Sequence, residues 1–214
     1  MPCHAVPKRR HAFVVMFYCG LALCLAAALL PARAHAHGGW STAAGERGGA
    51  TLLFPAADAL PDPRLTPGAI DPTVTQRNLG QTICRRGGYT RSVRPPESVT
   101  ERLKRRQVRQ YGYAQQVGHA GLRLRHYEED HLVSLELGGS PADPRNLWPE
   151  PHRVVGGWGS HAKDRLESRL HTMVCRGQLG LTDAQRMIAT NWIVAYKRYV
   201  GPAPSAREAG RARD

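Results

Sequence analysis

The sequence predicts an α+β domain that is mainly helical and is organised around a short strand-turn-strand-helix unit. Two patterns indicate this class. Between residues 122 and 129 the side chains alternate between two faces, which is typical of a strand. Further along, apolar residues recur at helical spacing in two segments that follow Ser160 and Thr182. An extended region followed by helices is the order expected of an α+β chain.

The amino terminus has the order of a secretory signal. Basic residues at positions 8 to 10 precede an apolar run from 12 to 30 and the small-residue pattern Ala34-His35-Ala36. We therefore expect residues 1–36 to be a cleaved signal peptide and the protein to be exported, either periplasmic or secreted. After cleavage no stable membrane association is expected. The length of the apolar run keeps an uncleaved membrane anchor as the alternative.

The expected mature chain is flanked by segments without a periodic pattern. Residues 37 to 64 are rich in Gly, Ala and Pro and are expected to be a flexible lead-in. Residues 201–214 are expected to be a disordered tail. The folded domain then spans about 65–200, and its first part, from 82 to 90, is expected to be irregular or short-stranded.

Cysteine usage indicates one disulfide. The expected leader contains three of the five cysteines, so that only Cys84 and Cys175 remain after its removal. In an oxidising compartment these two are expected to pair, with two unpaired buried thiols as the alternative. A disulfide closing a loop of that length contributes on the order of 4 kcal/mol. The absence of a Cys-x-x-Cys pair argues against a zinc knuckle or a thioredoxin-like redox motif.

A basic helix is expected in the first half of the domain. Ser98 and Glu101 have the spacing of a capping box that opens a helix extending to about Gln110. Four arginines share one face of this helix, namely Arg102, Arg105, Arg106 and Arg109. They form either a solvated face or a stripe that binds nucleic-acid phosphates.

The predicted strand leads directly into Asp130-His131, and the elements of the rest of the unit follow it. Gly138-Gly139 indicates a tight turn, Asn146-Leu147-Trp148 a second extended piece, and residues 156–159 a glycine loop. Ser160 is expected to cap a helix that ends before Gly177. Its apolar stripe is Ala162, Leu166, Leu170 and Val174.

A last helix is expected after a short connection. Thr182 and Gln185 have capping-box spacing, and apolar residues recur behind them with the helical period. The stripe consists of Ala184, Ile188, Trp192, Ala195 and Tyr199. These two helices would supply most of the hydrophobic core.

The charge of the expected mature chain indicates a polyanionic partner. The whole chain has 30 Lys+Arg and 17 Asp+Glu, and its first 36 residues contain four of the former and none of the latter. The mature chain therefore has 26 basic against 17 acidic residues, a net charge of +9 with His neutral. A charge of this size favours nucleic acid, an anionic envelope polymer or a membrane surface as partner.

The segment Tyr127–Gly139, with Pro144–Trp148 behind it, resembles the Asp-His, Gly-Gly, Asn-Leu pattern of HNH (His-Me finger) endonucleases. The resemblance covers about fifty residues. It implies a ββα-metal core within the domain at 65–200. The rest of the chain is similar to small exported bacterial proteins of unknown role that carry the same core; the similar segments are Thr82–Cys84, Lys163–Glu167 and Ala184-Gln185.

The resemblance implies roles for three residues. His131 would be the general base, since a near-neutral imidazole accepts a proton from water. Asp130 would bind one divalent metal ion through a hard oxygen suited to magnesium, manganese or calcium, with zinc as the alternative. Asn146 would hydrogen-bond the loop that carries His131 and hold the imidazole in place. The alternative is an ordinary surface Asp-His pair.

The third position of the motif departs from the HNH pattern. HNH sequences place a histidine about nine residues after the asparagine, whereas here His152 follows Asn146 by six residues and His161 by fifteen. We expect His161 to be the further metal ligand, with Asp164 one turn later sharing or replacing that role. His152 is expected to be a surface residue. The alternative for His161 is an ordinary solvent-exposed side chain.

The expected function is that of an exported, divalent-metal-dependent endonuclease that hydrolyses phosphodiester bonds of DNA or RNA or both. The alternative from another class is a noncatalytic exported basic protein that binds nucleic acid or an anionic envelope polymer. A structural metal module is a third possibility, although a zinc site without thiolates would be unusual. The sequence does not indicate an oligomeric state.

Overall fold

The computed structural model describes residues 41–43, 51–115 and 123–205. The chain divides into two compact units, and the described residues all belong to the second, Ala36–Asp214. The expected signal peptide at 1–36 lies outside the described residues, as does the tail from 206 onward. Within the described ranges no helix is both long enough and apolar enough to cross a membrane.

The described chain is α+β, as predicted, with helices around two small antiparallel sheets. One sheet pairs β1 with β2 and the other pairs β3 with β4. The strands are β1 Ser41–Ala43, β2 Thr51–Leu53, β3 Tyr127–His131 and β4 Leu147–Pro151, and the helices are α1 Tyr89–Val93, α2 Glu97–Gln110, α3 Ser160–Cys175 and α4 Leu181–Tyr199. At the end of β3, Asp130 pairs with Trp148 and His131 pairs with Leu147, and both partners lie at the start of β4.

The strand before the Asp-His pair is shorter than predicted. It begins at Tyr127, because Leu124–His126 forms a single turn of 3-10 helix instead of continuing the alternation. The backbone N–H of Arg123 donates to Nδ1 of His126 at 3.0 Å. This local side-chain contact offers the backbone an alternative to strand pairing. Residue 122 lies outside the described part of the chain.

The helix starts were predicted approximately, but the capping boxes are wrong. α2 begins at Glu97 after Pro96, with no side-chain cap, and Glu101 pairs with Lys104 at 3.1 Å instead. α4 begins at Leu181, and Gln185 points inward to donate to the Leu137 carbonyl at 2.9 Å. A neighbour on the same helix therefore binds the Glu101 side chain, and a tertiary partner binds that of Gln185.

α3 and α4 bury the apolar stripes that the sequence predicts. The buried residues are Ala162, Leu166, Leu170 and Val174 on α3 and Ala184, Ile188, Trp192 and Ala195 on α4. Tyr199 is only half-buried, and Tyr196 is buried in its place. Ser160 is the first helical residue, preceded by Gly159, so it is not the predicted cap. It contributes a buried hydroxyl instead.

The segment expected to be a flexible lead-in contributes to the core from residue 53 onward. Phe54 is 1% exposed, and its ring packs edge-on against Tyr127 with centroids 4.7 Å apart. The indole N–H of Trp192 donates to the Ala59 carbonyl at 2.8 Å. Single anchoring side chains in an aperiodic segment leave no pattern in the sequence, which explains the error. At the other end, Pro204 of the expected disordered tail is buried.

The predicted disulfide is present. Cys84 and Cys175 are bonded, with their Cα atoms 5.5 Å apart and 91 residues of separation along the chain. The bond joins the segment before α1 to the last residue of α3. That segment was expected to be irregular or short-stranded from 82 to 90, and it contains turns followed by the start of the short helix α1.

Candidate functional site

Asn146 binds the loop that connects β3 to β4. Its side chain is fully buried, and Oδ1 accepts from the Val133 N–H at 2.9 Å. Its Nδ2 donates to the carbonyls of Val133 and Ser140 at 2.9 and 3.0 Å. One amide therefore joins both ends of the loop that begins directly after His131.

Gly139 makes this arrangement sterically feasible. A Cβ at this position would lie 1.7 Å from the Val133 carbonyl oxygen and 2.7 Å from Nδ2 of Asn146. The backbone at 139 thus approaches the clamp so closely that no side chain fits. The neighbouring Gly138 has a φ of 72°, which a residue with a side chain adopts at a cost. The predicted Gly-Gly turn is observed.

His131 is the last residue of β3 and is 4% exposed. Its Nε2 lies 2.9 Å from the Pro141 carbonyl oxygen, which only accepts, so Nε2 carries the proton and donates. Its Nδ1 has no hydrogen-bond partner among the residues that the structure describes. Burial lowers the pKa of His131 below its ordinary value, against the opposing effect of the Asp130 charge. The ring is therefore neutral at pH 7, with Nδ1 as an acceptor.

A cavity of about 220 Å³ opens beside the Asp-His pair. It lies where β3 ends against α1 and α3. Its walls include Arg94, Asp130, His131, Asp164, Glu167 and Ser168. This volume admits several water molecules or a phosphate group. Arg94, which the sequence analysis did not single out, is exposed and is the one guanidinium in the described wall.

Lys163 is a central residue of this site that the sequence patterns did not indicate. It is 1% exposed, and its ammonium donates to Oδ2 of Asp130 at 2.5 Å and to the His131 carbonyl at 2.7 Å. The third donor goes to the carboxylate of Glu167, one turn along α3. All three ammonium hydrogens are thus satisfied inside the protein. The i,i+4 spacing of Lys163 and Glu167 is visible in the sequence, but it is equally typical of an exposed ion pair.

The Lys163 ammonium lies within a group of four acidic side chains. Glu128 and Glu150 pair across the sheet, and their side chains lie with that of Asp130 on the face of the sheet that packs against α3. An oxygen of Glu150 lies 4.0 Å from the Lys163 ammonium. Burial raises the pKa of Glu150 well above its ordinary range. It also raises the pKa of Glu128 and the pKa of Glu167, each to about 8. Burial also acts to raise the pKa of Asp130, but the Lys163 charge and a hydrogen bond from Glu150 outweigh it and lower that pKa.

The surroundings of Glu150 favour its protonated form, because burial raises its pKa. Neither of its oxygens accepts a hydrogen bond from a described residue, which a buried carboxylate would not tolerate. A proton on Glu150 allows it to donate to Asp130 instead. At pH 7 the centre then consists of one charged lysine, one charged aspartate and glutamates that are mainly neutral.

The acidic group fits a divalent cation by its donor chemistry. Glu128, Asp130 and Glu150 each offer one oxygen, and these atoms lie within 4.8 Å of one another. Three hard oxygen donors suit magnesium, manganese or calcium better than zinc. The Lys163 ammonium is a competing cation at Asp130. Cys84, His171 and Cys175 also lie close together, but the disulfide occupies both sulfurs.

His161 does not join the Asp-His cavity. Its side chain is 38% exposed, and Nδ1 lies 3.7 Å from Asp164 in the first turn of α3. It lines a separate, smaller pocket with His152. The side chains that α3 directs at Asp130 come from Lys163 and Glu167. His161 precedes Lys163 by two residues and is thus rotated by roughly 200° about the helix axis. Asp164, the other expected ligand, does line the Asp-His cavity.

His152 is half-buried, and not the surface residue that was predicted. Its Nδ1 lies 3.1 Å from the hydroxyl of Ser160 and 3.7 Å from Glu128. Burial, followed by the charge of His161, lowers the pKa of His152 to about 4. It is therefore a neutral side chain that connects β4 to the start of α3.

The four arginines of α2 lie on a different face of the sheet. Arg102, Arg105, Arg106 and Arg109 are all exposed. α2 packs against β3 and β4 on the side of the sheet to which Glu129 points. There the charges of Lys104 and Arg106 act to lower the pKa of Glu129, against the larger effect of burial, which raises it. Asp130, the next residue of the strand, points to the opposite side. None of the four arginines lines the described wall of the Asp-His cavity.

Comparisons of this chain with models of known protein families, with curated proteins and with solved structures found no match. Its function is therefore inferred from its own residues.

Proposed function

We propose that this protein is an exported, divalent-metal-dependent endonuclease that hydrolyses phosphodiester bonds of DNA or RNA by HNH-type chemistry. β3, β4 and α3 would form its ββα-metal core. The observation that carries the proposal is the state of His131. A neutral imidazole, whose Nδ1 is bound by none of the described residues, lies beside Asp130 in the wall of a cavity. This is the arrangement required of a general base that activates water.

His131 would accept the proton of the attacking water at Nδ1. The Pro141 carbonyl holds Nε2, and Asn146 holds the loop on which Pro141 lies, so that the ring keeps one orientation. The adjacent Asp130 carboxylate would stabilise the imidazolium that forms. Arg94, which lines the same cavity, would donate to the phosphate oxygens.

Asp130 would hold the divalent ion together with Glu128 and Glu150, which would release their protons on binding it, and Asp164 would be the ligand on the cavity side. The ion would supply positive charge for the phosphate and for the leaving oxygen. Lys163 would keep Asp130 in its charged form and in one position by binding a single oxygen of it.

A cleavage assay tests the proposal. The protein is incubated with plasmid and magnesium or manganese, with and without chelator, beside the His131→Ala variant. We expect cleavage that the chelator abolishes and that the variant loses. Full activity in His131→Ala, or activity that is indifferent to chelator, would overturn the proposal.

The alternative is a noncatalytic basic protein that binds nucleic acid or an anionic envelope polymer. One observation favours it: the Lys163 ammonium already neutralises Asp130, the carboxylate that a metal would need. Binding of nucleic acid without cleavage in any divalent metal would support this alternative.

A further inference from the structure

We propose that the nucleic-acid backbone reaches the Asp-His cavity along a groove over α3 and the end of α4. We name it the α3–α4 groove, and it is lined by Arg165, Arg169 and Tyr199. The proposal deepens the proposed function and rests on it, because it assigns the surface that binds the phosphates next to the hydrolysed one.

The α3–α4 groove is continuous with the Asp-His cavity. It is a shallow depression, open to solvent, with a volume of about 570 Å³. Asp164 and Ser168, exposed residues one turn apart on α3, line both the groove and the cavity. A strand bound with one phosphate beside His131 would therefore pass these two residues and continue over the next turn of α3.

Two guanidinium groups of the groove are held in place by neutral oxygens. Arg165 donates to the Tyr196 hydroxyl at 2.9 and 3.1 Å, and Arg169 donates to the Tyr199 carbonyl at 3.2 Å. Neither forms an ion pair with a carboxylate in the part of the chain that the structure describes. Their charge is therefore available to a ligand, and each keeps further N–H donors for phosphate oxygens.

The groove also contains one feature that opposes phosphate. Asp164, at the junction with the cavity, is the single carboxylate among the described lining residues of the groove. Without a divalent cation its charge repels the backbone. Removing that charge should consequently strengthen binding in chelator, whereas removing the two arginine charges should weaken it.

Fluorescence anisotropy with a labelled oligonucleotide tests the groove. The His131→Ala background prevents cleavage, and chelator excludes metal. Arg165→Gln with Arg169→Gln is compared with Arg77→Gln and Arg176→Gln, which remove the same charge from exposed positions outside the groove. We expect the groove pair to weaken binding roughly tenfold more than the control pair. The slope of log Kd against log salt should decrease by about one unit for each phosphate that is no longer bound.

Single variants keep the test valid if the loss of Arg165 disturbs packing against Tyr196. Arg169→Gln alone, at an exposed position, should still weaken binding, and Asp164→Asn should strengthen it. Equal losses in the groove and control pairs would overturn the proposal. Plasmid cleavage by the unmodified protein is measured separately, so failure of the groove and failure of the nuclease function give different results.

Discussion

The ammonium of Lys163 lies 2.5 Å from Oδ2 of Asp130, in the interior between α3 and β3. The lysine side chain is 1% exposed and the aspartate side chain 19%. Since the same ammonium also binds Glu167 and the backbone of His131, it ties the helix to the end of the strand that carries the candidate base. The stability and the chemistry of this region therefore depend on one internal cation.

Replacement of this cation is expected to be costly. Lys163→Met should lower the free energy of unfolding by about 3–5 kcal/mol, because it leaves buried acidic groups without their counter-charge. Urea denaturation measures the loss. Lys197→Met removes an exposed lysine that lies over the Trp158 ring and should cost at most about 1 kcal/mol. Equal losses in the two variants would contradict the central position of Lys163.

The pH dependence of stability should reflect the glutamates. Burial raises the pKa of Glu167 to about 8, so its proton stabilises the folded state fully below the unfolded pKa of about 4.5. That contribution is lost as the pH rises through about 8. Because the lowered pKa values of His131 and His152 act in the opposite direction below pH 6.5, the decrease of the unfolding free energy with pH is expected between pH 7 and 9. Glu167→Gln should flatten the decrease, whereas the exposed Glu97→Gln should leave it unchanged; a stability that rises over this range would refute the assignment.

His131 and Asp130 should differ in how their loss responds to metal. His131→Ala should lose roughly two to four orders of magnitude of activity, while metal binding measured by calorimetry stays close to that of the unmodified protein. Asp130→Asn should weaken metal binding, and added metal should restore part of its activity. Because burial lowers the pKa of His131, activity limited by this base should reach its plateau by neutral pH.

Two further variants identify the remaining ligand. Asp164→Asn should weaken metal binding if the ion is held on the cavity side, whereas His161→Ala should not, since His161 lines a different pocket. A loss of metal affinity in His161→Ala, with the affinity of Asp164→Asn unchanged, would show that His161 is the ligand, as was expected from the sequence.

Asn146 is expected to be a positioning residue with a large effect on stability. Asn146→Ala leaves the Val133 N–H and two carbonyls without partners in a buried place, which should cost about 2–4 kcal/mol in urea denaturation. Asn78 provides the matched control, because its amide also bridges backbone groups, of Thr75 and Thr73, but near the surface. Asn78→Ala should cost at most about 1 kcal/mol. Similar costs would show that the clamp is not specially stabilising.

We expect the four exposed arginines of α2 to attract nucleic acid over a long range. Arg102→Gln with Arg106→Gln should weaken oligonucleotide binding at every sequence, and the salt slope should fall by about one unit for each phosphate that these arginines bind. The measurement is anisotropy at several salt concentrations. A slope equal to that of the Arg77 and Arg176 control pair would show that the α2 face is only solvated.

The recognisable parts of the site follow from short-range patterns. The Asp130-His131 pair, the glycine turn and Asn146 were identified by their spacing, and the structure brings them together because β3 pairs with β4 and Asn146 binds the connection between the two strands. The apolar stripes of α3 and α4 were visible for the same reason, since a helix repeats its core face every three or four residues. The pairing of Cys84 and Cys175 needed only the count of cysteines left after the expected leader.

The orientation of α3 against β3 is a feature that local sequence patterns did not predict. Sequence spacing favoured His161 as the residue facing Asp130, but the rotation of α3 about its axis directs Lys163 there instead. That rotation depends on how the whole apolar stripe packs against α4 and β3, and no single residue encodes it. The sequence thus determined the elements and the residues of the motif, because these depend on neighbours along the chain. The burial of Lys163, the raised pKa of Glu150 and the anchoring of Phe54 depended on the tertiary structure, because burial and charge depend on neighbours in space.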